Sequence, residues 1–225
     1  MWKAIIPLAL AFVGQVAGQT VYLAGDSTTA PGGGGEGTEG WGQYLHYSLK
    51  IPVVNKAFAG RSARSFTREG RFDEIGKLIK KGDFVVIEFG HNDETVHTFP
   101  YYLEQAAKSY VAKGAHVLIS SQTPNNPDES GVFVSAPSRF VDLAKTAAAN
   151  AKVDYVDHSA YALAAYKPLP VQTVDSYFPN DHTHTAPKGA DLVAQAFVRG
   201  LVCGGSLLSN YVKNATSAIE GACLK

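Results

Sequence analysis

Phe84-Val85-Val86-Ile87-Glu88-Phe89, followed at once by Gly90-His91-Asn92-Asp93, decides the fold. The run is β-branched and aromatic, and apolar on nearly every residue. A strand that lacks a polar face is one covered on both sides, as in parallel sheets. Working outward, shorter runs of the same kind recur at 21–24 (closed by Gly25), 53–55, 116–120 and 153–156. Between them lie stretches with helical spacing: 41–49, 72–79, 99–113 stopped by Gly114, 138–150 after Pro137, and 187 to about 202, opened by Pro187. A proline at the first helical position and a glycine just past the end are the expected punctuation. Strands alternating with helices predict right-handed βαβ units. The expected fold is therefore α/β, three α/β/α layers around a central five-stranded parallel sheet. Neither an internal repeat nor a long linker divides the chain, so residues 19–225 are expected to form one domain.

The chain opens with a short positive start at Lys3 and an apolar run over 4–13, interrupted by Pro7. Val16-Ala17-Gly18 then supplies small residues of the kind a signal peptidase accepts, which predicts a cleaved leader over 1–18 and a secreted protein. That apolar run is too short for a bilayer, and no later stretch is longer, so no membrane association is expected. The 20 lysine and arginine residues balance the 20 acidic ones, and loss of Lys3 with the leader leaves about −1. A near-neutral chain gives no electrostatic case for nucleic-acid binding, where a strongly basic face would be expected. Cys203 and Cys223 are expected to pair in a disulfide, as an even cysteine count in a secreted chain implies. Asn214-Ala215-Thr216 between them is an N-glycosylation sequon.

In an open parallel sheet, ligands sit beyond the carboxyl ends of the strands. The residues just past those ends here are Gly25-Asp26-Ser27-Thr28, Ala59-Gly60-Arg61-Ser62 and Gly90-His91-Asn92-Asp93; Asp181-His182-Thr183-His184 precedes the last helix. These residue types suit acyl transfer. A serine hydroxyl needs a base to take its proton and a third group to fix the base's tautomer. Ser27 is the candidate nucleophile, with His184 and Asp181, three residues apart, as base and orienting acid. The N–H groups of Ser27 and Gly60 and the side-chain amide of Asn92 are candidate donors to an oxyanion. Asp26 is expected to fix its loop rather than react. His-x-His spacing also occurs in metal sites, with Asp157-His158 as a further source of ligands, but the reading adopted needs no metal. The glycine-rich segment 32–40 lacks a phosphate-binding ending and is expected to be a mobile loop. Arg61, Arg64, Arg68 and Arg71 share one stripe at helical spacing. The stripe is either a solvated face or, through Arg61 and Arg64, a contact for carboxylates of an acidic polysaccharide.

Taken in order, Gly25-Asp26-Ser27, Gly60, Gly90-His91-Asn92-Asp93 and Asp181-x-x-His184 resemble the four signature blocks of the SGNH (GDSL) hydrolase superfamily and span nearly the whole mature chain. Gly40-Trp41-Gly42, the 59–65 segment, Glu88-Phe89 before the third block, the 121–127 segment and Tyr177-Phe178-Pro179 are similar to fungal rhamnogalacturonan acetylesterases. That resemblance implies a flavodoxin-like fold and cofactor-free removal of acetyl groups from pectic polysaccharide; a monomer acting outside the cell is expected. It also implies a longer connection than the five residues between Asp93 and Phe99. The alternatives are another esterase of the superfamily, such as an acetylxylan esterase or a lipase-like enzyme, and a non-catalytic polysaccharide-binding module. A lipase-like enzyme would want an apolar lid, which no segment resembles, and a binding module would have no use for a nucleophile with its base.

Overall fold

In a computed structural model describing residues 18–134 and 137–224, every predicted strand is present. The predicted leader, apart from Gly18, lies outside the described residues. The strands are β1 (Val21–Gly25), β2 (Val53–Asn55), β3 (Phe84–Glu88), β4 (His116–Ser120) and β5 (Asp154–Val156). All pairs are parallel and the order is β2-β1-β3-β4-β5, the flavodoxin-like order. The chain leaves β1 towards β2 and then returns to place β3 on the other side of β1. This makes a switch point between β1 and β3. Their register runs from Val21 opposite Phe84 to Gly25 opposite Glu88, so both strands end at the same level. The residues that follow them, Asp26-Ser27 and Phe89 to Asp93, therefore emerge side by side.

The helices are α1 (Leu45–Ser48), α2 (Ala63–Arg68), α3 (Arg71–Leu78), α4 (Phe99–Ala112), α5 (Arg139–Ala151), α6 (His158–Tyr166), α7 (Val171–Asp175) and α8 (Pro187–Gly204). Side chains alternate across the sheet. Val21, Leu23, Phe84, Val86, Leu118 and Val156 pack on one side against Leu45 of α1, Tyr161 of α6 and Phe197 of α8. Tyr22, Ala24, Val85, Ile87, Val117 and Ile119 pack on the other against Phe66, Ile75, Leu103 and Ala144 of α2 to α5. Burial on both faces is why the strands needed continuous apolar sequence.

Three details depart from expectation. The segment 41–49 is not one helix but a 3-10 turn (Trp41–Gln43) followed by the single turn of α1. The arginine stripe is broken: Arg61 precedes α2, and Gly70, with φ 71°, ends that helix and opens α3 in a new direction. Helices α6 and α7 were not expected. Seven of the nine residues of α6 are buried, and a helix apolar all round carries no amphipathic period to read.

Cys203 and Cys223 form a disulfide that ties the end of α8 to the C-terminal tail, with a sequence separation of 20. Closing a loop of that size is worth about 3 kcal/mol in chain-entropy terms. Among the described residues no helix is long and apolar enough to cross a membrane.

Candidate active site

Ser27 follows β1 in a tight turn in which Thr29 and Ala30 donate backbone N–H groups to the carbonyl of Asp26. Asp26 is buried, and its Oδ1 accepts both the N–H and the hydroxyl of Thr28, at 3.0 and 2.8 Å. It fixes the turn, as expected of it. Ser27 itself is 5% exposed, at the floor of the site.

His184 comes from the segment before α8. Its Nε2 lies 2.8 Å from Ser27 Oγ and its Nδ1 lies 2.7 Å from Asp181 Oδ2. Oδ1 of the same carboxylate accepts the backbone N–H groups of Thr183 and His184, at 2.7 and 2.8 Å. Burial alone would raise the Asp181 carboxyl, but the bonds it accepts from the His184 ring and from these two N–H groups prevail and lower it to about 2. Asp181 therefore remains a carboxylate at any ordinary pH, although its side chain is 43% exposed. Both imidazole nitrogens are committed, one towards the hydroxyl and one towards the acid. The structure thus brings Ser27, His184 and Asp181 into one chain of hydrogen bonds.

The donors expected of an oxyanion pocket follow β1, β2 and β3 at the same end of the sheet. Gly60 has φ 72°, a conformation L side chains rarely adopt, and open space where a Cβ would be; glycine is there for its backbone. Among the described residues, neither the Ser27 nor the Gly60 N–H has a backbone acceptor. Asn92 Nδ2 reaches the Arg61 carbonyl at only 3.4 Å, a weak contact. Gly60 and Asn92 together line a cavity of about 290 Å³ with Ser62, Arg64 and Thr95.

The loop carrying Asn92 is held by its neighbours. His91 Nε2 lies 2.9 Å from the Thr123 carbonyl, and the Asp93 carboxyl accepts the Ala63 N–H at 3.0 Å. Burial pushes the Asp93 carboxyl from 3.8 up to about 7; the Ala63 N–H opposes the shift and neighbouring Asp26 adds to it. A raised acid holds its proton in the fold while the unfolded chain has lost it. Stability should therefore fall as pH rises from about 4 to about 7. Asn at this position keeps an acceptor for Ala63 but has no charge to bury. Asp93→Asn is expected to gain on the wild type by about 2 kcal/mol between pH 5 and pH 8, measured as the difference in denaturation midpoint. Parallel pH profiles for the two proteins would show that Asp93 does not titrate in this range.

The four arginines do not act together. Arg61 Nε binds both oxygens of Glu69, at 2.9 and 3.1 Å, and its guanidinium lies 4.5 Å from the centre of the Phe58 ring. Arg71 binds Glu69 from the other side and also covers Phe58. Hydrogen bonds from Arg71 first, and Arg61 second, hold the Glu69 carboxyl below its ordinary value. Arg61 is thus ion-paired with Glu69 and is not among the residues lining the cavity, whereas Arg64 is. His158, considered as a metal ligand, is buried elsewhere: its Nδ1 meets Glu88 at 2.7 Å and its Nε2 the Val193 carbonyl at 2.9 Å. Glu88 also accepts Trp41 Nε1 at 2.7 Å and the Ser120 hydroxyl. Sequence reasoning missed this buried cluster beneath the site. A carboxylate ending an otherwise apolar strand was its one visible signal.

The 32–40 segment is a loop, as expected. Thr38 is buried within it, and Gly34 lies against the ring of His184.

Residues 21–197 match the GDSL-like lipase/acylhydrolase family. A rhamnogalacturonan acetylesterase of Emericella nidulans is 45% identical, with 99% of this chain and 100% of that protein aligned. A probable rhamnogalacturonan acetylesterase of Bacillus subtilis is 33% identical over 80% of this chain and 91% of its own length. Among solved structures, a Bacillus subtilis protein superposes with a TM-score of 0.76 at 27% identity, covering 84% of this chain; the chain spans 57% of that longer protein. An acetylxylan esterase from Geobacillus stearothermophilus has a TM-score of 0.61 at 20% identity, over 82% of this chain and 94% of its own, a likeness of fold. The chain belongs to the GDSL-like lipase/acylhydrolase family and is a carboxylic ester hydrolase.

Proposed function

We propose that this is a secreted rhamnogalacturonan acetylesterase that works through an acetyl-enzyme on Ser27. The observation that carries the mechanism is the 2.8 and 2.7 Å sequence of contacts from Ser27 through His184 to Asp181. His184 Nε2 takes the Ser27 proton as Oγ bonds to the acetyl carbonyl carbon. The N–H groups of Ser27 and Gly60 and the Asn92 amide receive the negative oxygen that forms. His184 then returns the proton to the sugar oxygen as the bond from acetyl carbon to that oxygen breaks. Water, deprotonated by the same nitrogen, bonds to the acetyl carbon; the bond from that carbon to Oγ breaks, His184 returns the proton to Oγ, and acetate leaves. Asp181 stays ionised throughout.

The substrate assignment rests on end-to-end similarity to an enzyme of that name. Residues 19–225 form the working domain after removal of the leader. The disulfide and the exposed sequon at Asn214 favour an oxidising, extracellular setting. The enzyme acts as a monomer and needs neither cofactor nor metal. Acetate release from acetylated rhamnogalacturonan, xylan and homogalacturonan tests the substrate; equal rates on all three would overturn it.

Arg64 lines one cavity with Gly60 and Asn92, which supports it as the cation that meets a galacturonate carboxylate. Arg64→Ala is expected to raise KM for acidic oligosaccharides roughly tenfold, the worth of one charged hydrogen bond, and to leave KM for a neutral aryl acetate unchanged. Arg61→Ala is expected to show no such selectivity. Equal effects of Arg64→Ala on both substrates would remove it from the binding site.

A further inference from the structure

No step of acyl transfer uses the glycine-rich segment, yet it touches the base. A Cβ built on Gly34 would stand 2.4 Å from Cγ, 2.5 Å from Nδ1 and 2.6 Å from Cδ2 of His184. No side chain fits in that space, so only glycine lets the backbone pass over the imidazole. The approach is held in place locally. Thr38 Oγ1 accepts the Gly34 N–H at 2.9 Å and donates to the Gly35 carbonyl at 2.7 Å. Glu39 Oε1 accepts the N–H groups of Gly32 and Gly40, at 2.6 and 3.0 Å. The segment is also joined to the turn that carries the acid and the base. Asn180 Nδ2 donates to the Glu36 carbonyl at 2.6 Å, just before Asp181, and Glu39 N–H donates to the Thr185 carbonyl at 2.8 Å, just after His184.

We infer that the Gly34 to Thr38 loop is a positioning wall for His184, fixing the plane of the ring while Asp181 fixes its edge. The inference rests on the reading of His184 as the catalytic base. Its physical ground is the exposure of Asp181: a single hydrogen bond open to water contributes little net energy to hold geometry, and the ring needs a second support. Gly34 and Thr38 are positioning residues, since neither touches the reacting atoms.

The test is made on the full chain with 4-nitrophenyl acetate. Gly34→Ala should push the ring from Ser27 and lower kcat about 10²-fold, the usual penalty for a misplacement of about 1 Å. KM should stay near wild type, and the downfield proton NMR signal of the His184–Asp181 hydrogen bond should shift. Thr38→Val, which removes the hydroxyl at constant shape, should lower kcat about tenfold with the same split. Wild-type kcat in Gly34→Ala, or a rise in KM at constant kcat, would overturn the inference. If Gly34→Ala does not fold, Thr38→Val decides, and an unchanged kcat there overturns it. A wild-type chain inactive on every acetyl ester would instead fail the esterase reading, and the NMR signal, which needs no substrate, would still test the wall.

Discussion

Ser27→Ala is expected to reduce acetate release by about four to six orders of magnitude, since removing the nucleophile of such a triad leaves only binding and the oxyanion donors to act. The hydroxyl is buried and bonded to His184, so the substitution leaves a small gap and no orphaned charge. Folding should be nearly unaffected, and affinity for acetylated oligosaccharide should survive. Turnover and binding therefore separate in this variant: kcat collapses while the dissociation constant, measured by calorimetry, stays close to that of the wild type. Undiminished turnover would remove Ser27 from the mechanism.

Asp181→Asn is expected to lower kcat by about 10²–10⁴ with little change in KM. The carboxylate now accepts from Nδ1 at 2.7 Å, which leaves Nε2 unprotonated towards Ser27. An asparagine amide can offer its NH₂ to Nδ1 instead. The ring then carries its proton on Nε2 and cannot accept one from the serine. The lower half of that range applies if water reaching the half-exposed residue 181 partly restores the useful tautomer. A kcat within about threefold of wild type would show that the loop wall and the solvent suffice to hold His184. Because the wild-type carboxyl is lowered to about 2, the effect should be present across the whole ordinary pH range.

The sheet was legible because β-branched runs and their terminating glycines are local signals. Phe84 to Ile87 declares a strand covered on both faces, and the structure buries it on both. Helix α6 was not legible, because its burial depends on α8 and the sheet rather than on any period of its own. The break at Gly70 was visible as a glycine, but the spacing of the arginines around it is the spacing of one continuous helix. In the site, Ser27, Gly60, Asn92, Asp181 and His184 were recognisable because each follows a strand or precedes a helix where this class of fold gathers ligands. The different surroundings of Arg61 and Arg64 were not, since both are cations of one segment and only the contacts of Arg61 with Glu69 and Phe58 set them apart.

By itself the sequence determined the α/β class, the parallel sheet, the pairing of Cys203 with Cys223 and the residue types of an acyl-transfer site. These depend on periodicity and on residues at strand ends, which neighbours along the chain settle. Only the tertiary structure decided that Gly34 lies on His184, that Glu88, Trp41, Ser120 and His158 share one buried cluster, and that Arg61 pairs with Glu69. Each of those is a contact between segments far apart in sequence. Such contacts are set by sheet register and loop closure, which no local pattern encodes.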